Sequence, residues 1–237
     1  MISSKSRQDA LPPKELADVV SRCTVLRPGL LDYQQAWQLQ QRIAASVRDG
    51  GPEALVLLQH PPVYTLGMRG REEHLLAARD DLGAEVVRTD RGGDVTFHGP
   101  GQVVGYPILD LRRRGMGPAT YVHTLEAALV ETLARFGIAA GRAQGRPGAW
   151  VGDAKIAAIG VRVSRGATTH GFALNVSTDL SYFGRIIPCG LAGAGVTSMH
   201  ALGVPAQVAE VEDELCAVLC ELFALEPAPQ AEAAGVR

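Results

Sequence analysis

Cysteine, net charge and long apolar runs are all scarce in this chain, and each shortage excludes something. Only four cysteines occur in 237 residues: Cys23, Cys189, Cys216 and Cys220. With no apolar leader in the polar stretch 1–14, they are expected to be reduced thiols in a cytoplasmic protein rather than a disulfide framework. A net charge of −2 provides no global attraction for nucleic acid. No apolar run approaches the roughly 20 residues of a membrane span. Neither nucleic acid nor membrane is therefore expected as a partner. Phosphate-loop, dinucleotide-fingerprint and serine-hydrolase-elbow patterns are missing, as are papain-type and caspase-type cysteine signatures. His98, His123 and His170 match no zinc spacing, so no metal or other cofactor is expected.

What is present suits a folded enzyme. Hydrophobic residues make up 46% of the chain and charged residues 20%, a balance that opposes disorder. Twenty-seven glycines predict tight turns and close backbone approaches. Helical spacing of Ala36, Leu39, Ile43 and Val47 predicts a helix over 33–47. A second helix follows from Val122, Leu125, Leu129, Leu133 and Phe136, stopped by Gly137, and a third spans about 206–225. His123 is expected within the second helix, beside its apolar face, as a surface or boundary residue. Cys216 and Cys220 share a face of the third and are expected to pack in the core.

Strands are expected at 54–58, 85–88, 103–109, 149–152, 155–163 and 170–176, with a hairpin turn at 163–167. The stretch 91–101 is expected to be a loop. There is no regular βαβ rhythm and no internal repeat. The expectation is an α+β fold in a single domain over 21–225, with flexible extensions at 1–20 and 226–237.

Three short runs carry chemistry. Arg185-Ile-Ile-Pro-Cys189-Gly190 sets a cysteine between proline and glycine, which favours a turn that presents sulfur to a cleft. Such a cysteine serves either as a thiol nucleophile or as a small apolar filler. Lys155 heads the apolar run 156–163, and a lysine beside a cysteine favours the thiolate. The run Arg91-Gly92-Gly93-Asp94-Val95-Thr96-Phe97-His98-Gly99-Pro100-Gly101-Gln102 is dense enough in glycine to bring backbone amides to a ligand, or to serve as a structural turn. Arg112-Arg113-Arg114 reads either as a solvated turn or as a binding patch.

Five runs in this order resemble the octanoyltransferases of lipoate biosynthesis. They are 91–102, Gly145-Arg-Pro-Gly-Ala-Trp150, Lys155-Ile-Ala-Ala-Ile-Gly160, His170-Gly-Phe-Ala-Leu-Asn175 and Pro188-Cys189-Gly190. The resemblance covers residues 23–225. Departures, such as Gly152-Asp153-Ala154 before Lys155 and Met199 after Thr197-Ser198, touch no matched position.

The resemblance implies a mixed β-sheet flanked by helices, as in the catalytic domain of biotinyl and lipoyl protein ligases. It implies an ATP-independent acyltransferase: octanoyl-acyl carrier protein as donor, Cys189 as the acyl-thioester nucleophile, and Lys155 as the group that lowers its pKa and moves protons. Acceptors would be lipoyl domains of 2-oxoacid dehydrogenases and the glycine cleavage H protein. Substrate contacts fall on Arg91, Gly92, Gly93, Asp94, Val95, Thr96, Phe97, His98, Ala158, Ile159, Gly160, Gly171, Phe172 and Ala173. Gly160 and Gly171 are expected to leave room for the acyl chain. Arg112, Arg113, Arg114, Arg142 and Arg146 are expected to form a basic rim for the acceptor. An ATP-dependent ligase on the same fold, or a non-catalytic carrier-binding homologue, are the alternatives.

Overall fold

The computed structural model of the chain describes residues 20–77, 81–187 and 195–228. In chain order the elements are β1 (Ser21–Leu30), α1 (Tyr33–Arg48), β2 (Glu53–Gln59), β3 (Val63–Leu66), β4 (Glu85–Arg88), β5 (Val95–His98), β6 (Gln102–Ile108), α2 (Pro118–Arg135), β7 (Gly141–Ala143), β8 (Arg146–Val151), β9 (Ala154–Ser164), β10 (Ala167–Asn175), β11 (Gly195–Val196), α3 (Val208–Leu222) and β12 (Leu225–Pro227).

Among the described residues the main sheet runs β12-β1-β2-β6-β10-β9-β8-β7, with β11 added beside β9, and a second sheet runs β4-β3-β5. The pairings β12-β1, β1-β2 and β11-β9 are parallel, and the others of the main sheet are antiparallel. In the small sheet β3 pairs parallel with β4 and antiparallel with β5. This is the expected mixed α and β fold.

Side-chain alternation assigns the layers. On β2, Leu55 and Leu57 face one core, while Ala54, Val56 and Leu58 face the other. A strand covered on both faces reads as one continuous apolar run, as this one does. Helices α2 and α3 cover the first face through Leu125, Leu129, Leu133, Val211, Leu215 and Leu219. Helix α1 covers the second through Ala36, Ile43, Ala44 and Val47. Asp32 caps α1, accepting from the backbone N–H of Gln34 at 2.8 Å and Gln35 at 3.2 Å. Gly137, with φ +76°, ends α2 in a left-handed conformation that glycine adopts without strain.

Several elements differ from the sequence expectation. The stretch 91–101 contains β5, because Val95, Phe97 and His98 are buried. β1 and β3 were not anticipated. β1 carries Pro28 and Gly29 and turns exposed in its second half, and β3 has only four residues. The expected flexible tail begins instead with β12, which pairs with Ser21–Cys23 at the edge of the main sheet. Residues 1–19 and 229–237 of the two expected extensions lie outside the described residues. Among the described residues no helix is long and apolar enough to cross a membrane.

Candidate active site

A cavity of about 540 Å³ opens where the small sheet meets β9 and β10. That volume lies within the roughly 300–1,000 Å³ of ordinary small-molecule sites. Arg91, Gly92, Gly93, Asp94, Val95, Thr96, His98, Ala158, Ile159, Gly160, Gly171, Phe172 and Ala173 all line it, together with Lys155. Phe97 does not. The alternation of β5 turns its ring away, into the core of the small sheet, where it stacks on Tyr182 with centroids 4.3 Å apart. Its assignment as a substrate contact is therefore corrected to a packing role. Cys189 lies in the segment 188–194, outside the described residues.

The described chain on either side of that segment is fixed at the cavity. Ile187 donates its N–H to the carbonyl of His74 at 2.9 Å. Gly195 and Val196 pair with Ala154 and Lys155. His74 and Lys155 both line the cavity.

Lys155 reaches the cavity because β9 is bulged. Ala149 pairs with Ala157, but the next residue, Trp150, pairs with Lys155, so Ile156 has no counterpart on β8. Ile156 and Ala157 are consequently both buried in the α2–α3 core. In an unbroken strand Lys155 would share the face of Ala157 and point into that apolar core. The extra residue re-aims it to the face of Ala158 and Gly160, a common use of bulges near functional sites. Its Nζ lies 4.9 Å from the ring centroid of Trp150.

The glycine loop is held from within. Arg91 is buried, and its guanidinium donates to Thr65 Oγ1 at 2.9 Å and to the carbonyls of Thr65 (2.7 Å), Asp94 (2.6 Å) and Gly92 (3.0 Å). Those bonds set the loop's shape. Gly160 and Gly171, expected to leave room for the acyl chain, both line the cavity, and an added side chain at either would meet backbone. A Cβ on Gly160 would stand 2.8 Å from the Gly92 carbonyl oxygen, and one on Gly171 would stand 2.1 Å from that of Gly105. Both glycines permit backbone to approach backbone.

A continuous hydrogen-bond chain runs from this loop to the strand beside Lys155. Thr65 Oγ1 accepts from Arg91 and lies 3.4 Å from His98 Nε2. His98 Nδ1 then donates to Gln102 Oε1 at 2.8 Å, the tautomer being assigned from the partners. Gln102 Nε2 donates to Asn175 Oδ1 at 2.8 Å, and Asn175 Nδ2 donates to the Thr197 carbonyl at 3.0 Å. Thr197 N–H closes on the Lys155 carbonyl at 3.0 Å. Sequence reasoning gave no role to Thr65, Gln102 or Asn175. The available signal was a polar residue at a fully buried strand position, which demands a partner.

Tyr33, Val104, Tyr106 and His170 complete the wall. Behind it, burial pushes the His60 imidazole down to about 4. His60 Nδ1 donates to the Leu31 carbonyl at 2.6 Å, leaving Nε2 to accept from Tyr106 Oη at 2.7 Å. Burial, with neighbouring His60 and Arg91, holds His98 well below its ordinary value. Burial thus favours the neutral imidazole at His60 and His98, which lets this part of the wall border an apolar ligand without introducing charge. His170 adopts φ +58° in mid-strand, a conformation unusual for a side chain with a Cβ. It is held there by its N–H to Gln40 Oε1 and by Nε2 to Asp90 Oδ1, both at 2.7 Å.

The expected basic rim is also corrected. Arg114 is buried in an ion pair with Glu53, and Arg112 and Arg113 pair with Asp110. None of these three, nor Arg142 on β7, is among the described residues lining the cavity. The arginines that line it are Arg69, Arg71, Arg91 and Arg146.

Comparisons with known proteins identify the family to which this cavity belongs. The family model described as the lipoyl protein ligase A/B catalytic domain matches residues 32–220. In fold, the chain superposes on a crystal structure of lipoate-protein ligase A bound with ATP, with TM-score 0.71 at 18% identity, covering 92% of this chain and 93% of that one. A bipartite lipoate protein ligase from Thermoplasma acidophilum superposes with TM-score 0.67 at 16% identity, over 91% and 89% of the two chains. Sequence places the chain more narrowly. It is 50% identical over 217 residues to an octanoyltransferase of Solibacter usitatus (strain Ellin6076), covering 90% of this chain and 98% of that protein. It is 47% identical to one of Chloroflexus aggregans (strain MD-66 / DSM 9485), covering 86% and 96%. The chain belongs to the octanoyltransferase family.

Proposed function

We propose that this protein carries octanoyl groups from an acyl carrier protein to the lysine of a lipoyl domain, in the cytoplasm, through a thioester on Cys189. The observation that supports this reading most is Lys155. A bulge aims it into a cavity lined by the glycine loop, beside the strand that follows the Cys189 segment. The donor is octanoyl-acyl carrier protein, and the acceptors are the lipoyl domains of 2-oxoacid dehydrogenases and the glycine cleavage H protein.

In the resting site the Cys189 proton resides on Lys155, giving thiolate and ammonium. The thiolate attacks the octanoyl carbonyl. A C–S bond to Cys189 forms, the C–S bond to the carrier breaks, and Lys155 returns a proton to the departing carrier thiolate. The acceptor amine then attacks the acyl-enzyme. A C–N bond forms, Cys189 leaves as thiolate, and the now neutral Lys155 takes the amine proton. Thioester exchange is close to isoenergetic and amide formation is downhill, so no nucleotide is required. Burying six methylenes of the acyl chain would contribute roughly 5 kcal/mol at about 0.8 kcal/mol each.

The discriminating experiment mixes the purified protein with octanoyl-carrier protein and a lipoyl domain, with no ATP present. Octanoylated lipoyl domain is the expected product. A requirement for ATP and free octanoate, with no transfer from the thioester, would point to a ligase instead.

A further inference from the structure

The bulge that turns Lys155 into the cavity leaves a long, rotatable side chain to be held in one place. Trp150 sits directly across from it in the β8–β9 register. The indole is 4% exposed and is fixed from its other partners. Its Nε1–H donates to the Arg146 carbonyl at 3.1 Å. The Arg146 guanidinium carbon stands 4.5 Å from the ring centroid, and Lys155 Nζ stands 4.9 Å from it. An ammonium within about 6 Å of an indole face is attracted by the ring quadrupole, and the attraction grows when water is excluded. A neutral amine gains far less. The ring therefore favours one position of the Lys155 ammonium.

We infer that Trp150 is a positioning residue for the acyl-transfer reaction, holding the Lys155 ammonium in one place at the cavity wall. The inference rests on Lys155 acting on Cys189, as proposed above. Two properties of the site favour it over simple packing. Trp150 lies opposite the cavity-lining Lys155 in the β8–β9 register, and Arg146, which stacks on its ring, also lines the cavity, whereas its neighbour Ala149 faces the core. The ring's own hydrogen bond and Arg146 stack lock its orientation without help from Lys155. An aromatic residue required only for volume would need neither.

The test compares Trp150→Leu, Trp150→Tyr, Lys155→Ala and Trp150→Leu/Lys155→Ala in the full chain, reading single-turnover octanoylation and the pH profile of Cys189 alkylation. Trp150→Leu is expected to lower the octanoylation rate about 3- to 30-fold, the span of cation–π strengths from exposed to desolvated. It should also move the alkylation midpoint to higher pH, with KM for the carrier protein within about twofold of wild type. Trp150→Tyr keeps an aromatic face and should recover most of both losses. In the Lys155→Ala background, Trp150→Leu should produce no further shift in the profile, because its effect passes through the lysine. If Lys155→Ala moves the profile and Trp150→Leu does not, the positioning role is overturned while the Cys189–Lys155 reading stands. If Lys155→Ala leaves the profile unchanged, both fall. Equal and additive effects of Trp150→Leu with and without Lys155 would assign the tryptophan to packing alone. Should Trp150→Leu fail to fold, Trp150→Phe against Trp150→Tyr and wild type supplies the same comparison at constant aromaticity.

Discussion

Lys155→Ala is expected to slow octanoyl transfer by about two to four orders of magnitude, the range for loss of a positioned general acid–base group. The side chain is asked to do three things in sequence: stabilise a thiolate, protonate the departing carrier thiolate and accept the acceptor's proton. Alanine removes all three. Lys155→Arg separates them. A guanidinium retains positive charge in the cavity but does not deprotonate near neutral pH. The arginine variant should therefore keep the alkylation profile of Cys189 close to wild type while remaining slow in the second half-reaction. Stopped-flow alkylation and single-turnover acyl transfer measure the two parts independently. Wild-type rates in Lys155→Ala would remove the lysine from the mechanism.

The largest effect on stability is expected from Arg114→Ala, at about 3–5 kcal/mol, the cost of breaking a buried ion pair and leaving one partner behind. Arg114 Nε donates to Glu53 Oε1 at 2.9 Å, and the remaining guanidinium nitrogens bond Glu53 Oε2, Ser21 Oγ and the Phe223 carbonyl. Glu53 Oε1 also accepts the Asp110 N–H at 2.8 Å. The Arg114–Glu53 pair thus ties the starts of β1 and β2 to the segments that follow β6 and α3, away from the cavity. Burial alone would push the Glu53 carboxyl up, but the bonds from Arg114 and Ser21 outweigh it, and the net shift is downward. The unfolded chain therefore binds the proton more readily than the folded one. The stability this pair adds is present above the ordinary carboxylate value of 4.5 and is lost as pH falls through the lower folded value. Urea unfolding of Arg114→Ala measures the loss. Arg114→Leu/Glu53→Leu should lose less than either single change, because no charge is left unpaired. A loss under about 1 kcal/mol would contradict this account of the pair.

That result would also separate what the sequence reveals from what it hides. Arg112-Arg113-Arg114 looks like one basic patch in sequence, yet its third member is buried and its first two turn to Asp110. Charge runs report composition, whereas the partner Glu53 is 61 positions distant along the chain. The helices and long strands were legible because their apolar residues recur at 3.6 or 2. β10, which fits both cores, was readable from Phe172, Ala173 and Leu174 alone. Bulge and network were not. Ile156 sits in an unbroken apolar run, and nothing in that run says that two consecutive residues face one core. Phe97 shows the same limit in reverse. It stands inside a matched motif, but period-2 alternation within an unanticipated strand turns it from the cavity. Gly160 and Gly171 were singled out for the space they leave beside an acyl chain; both line the cavity, but the sequence did not show that each also lies close to backbone of a neighbouring strand or loop.

The central claim, a covalent acyl-enzyme on Cys189, is tested most directly by intact-mass spectrometry of the protein after mixing with octanoyl-carrier protein alone. One octanoyl group should be added to the wild type, released by hydroxylamine and placed on Cys189 by peptide mapping, with none added to Cys189→Ala. An octanoyl group mapped to Cys23, Cys216 or Cys220, or one that persists in Cys189→Ala, would contradict the account.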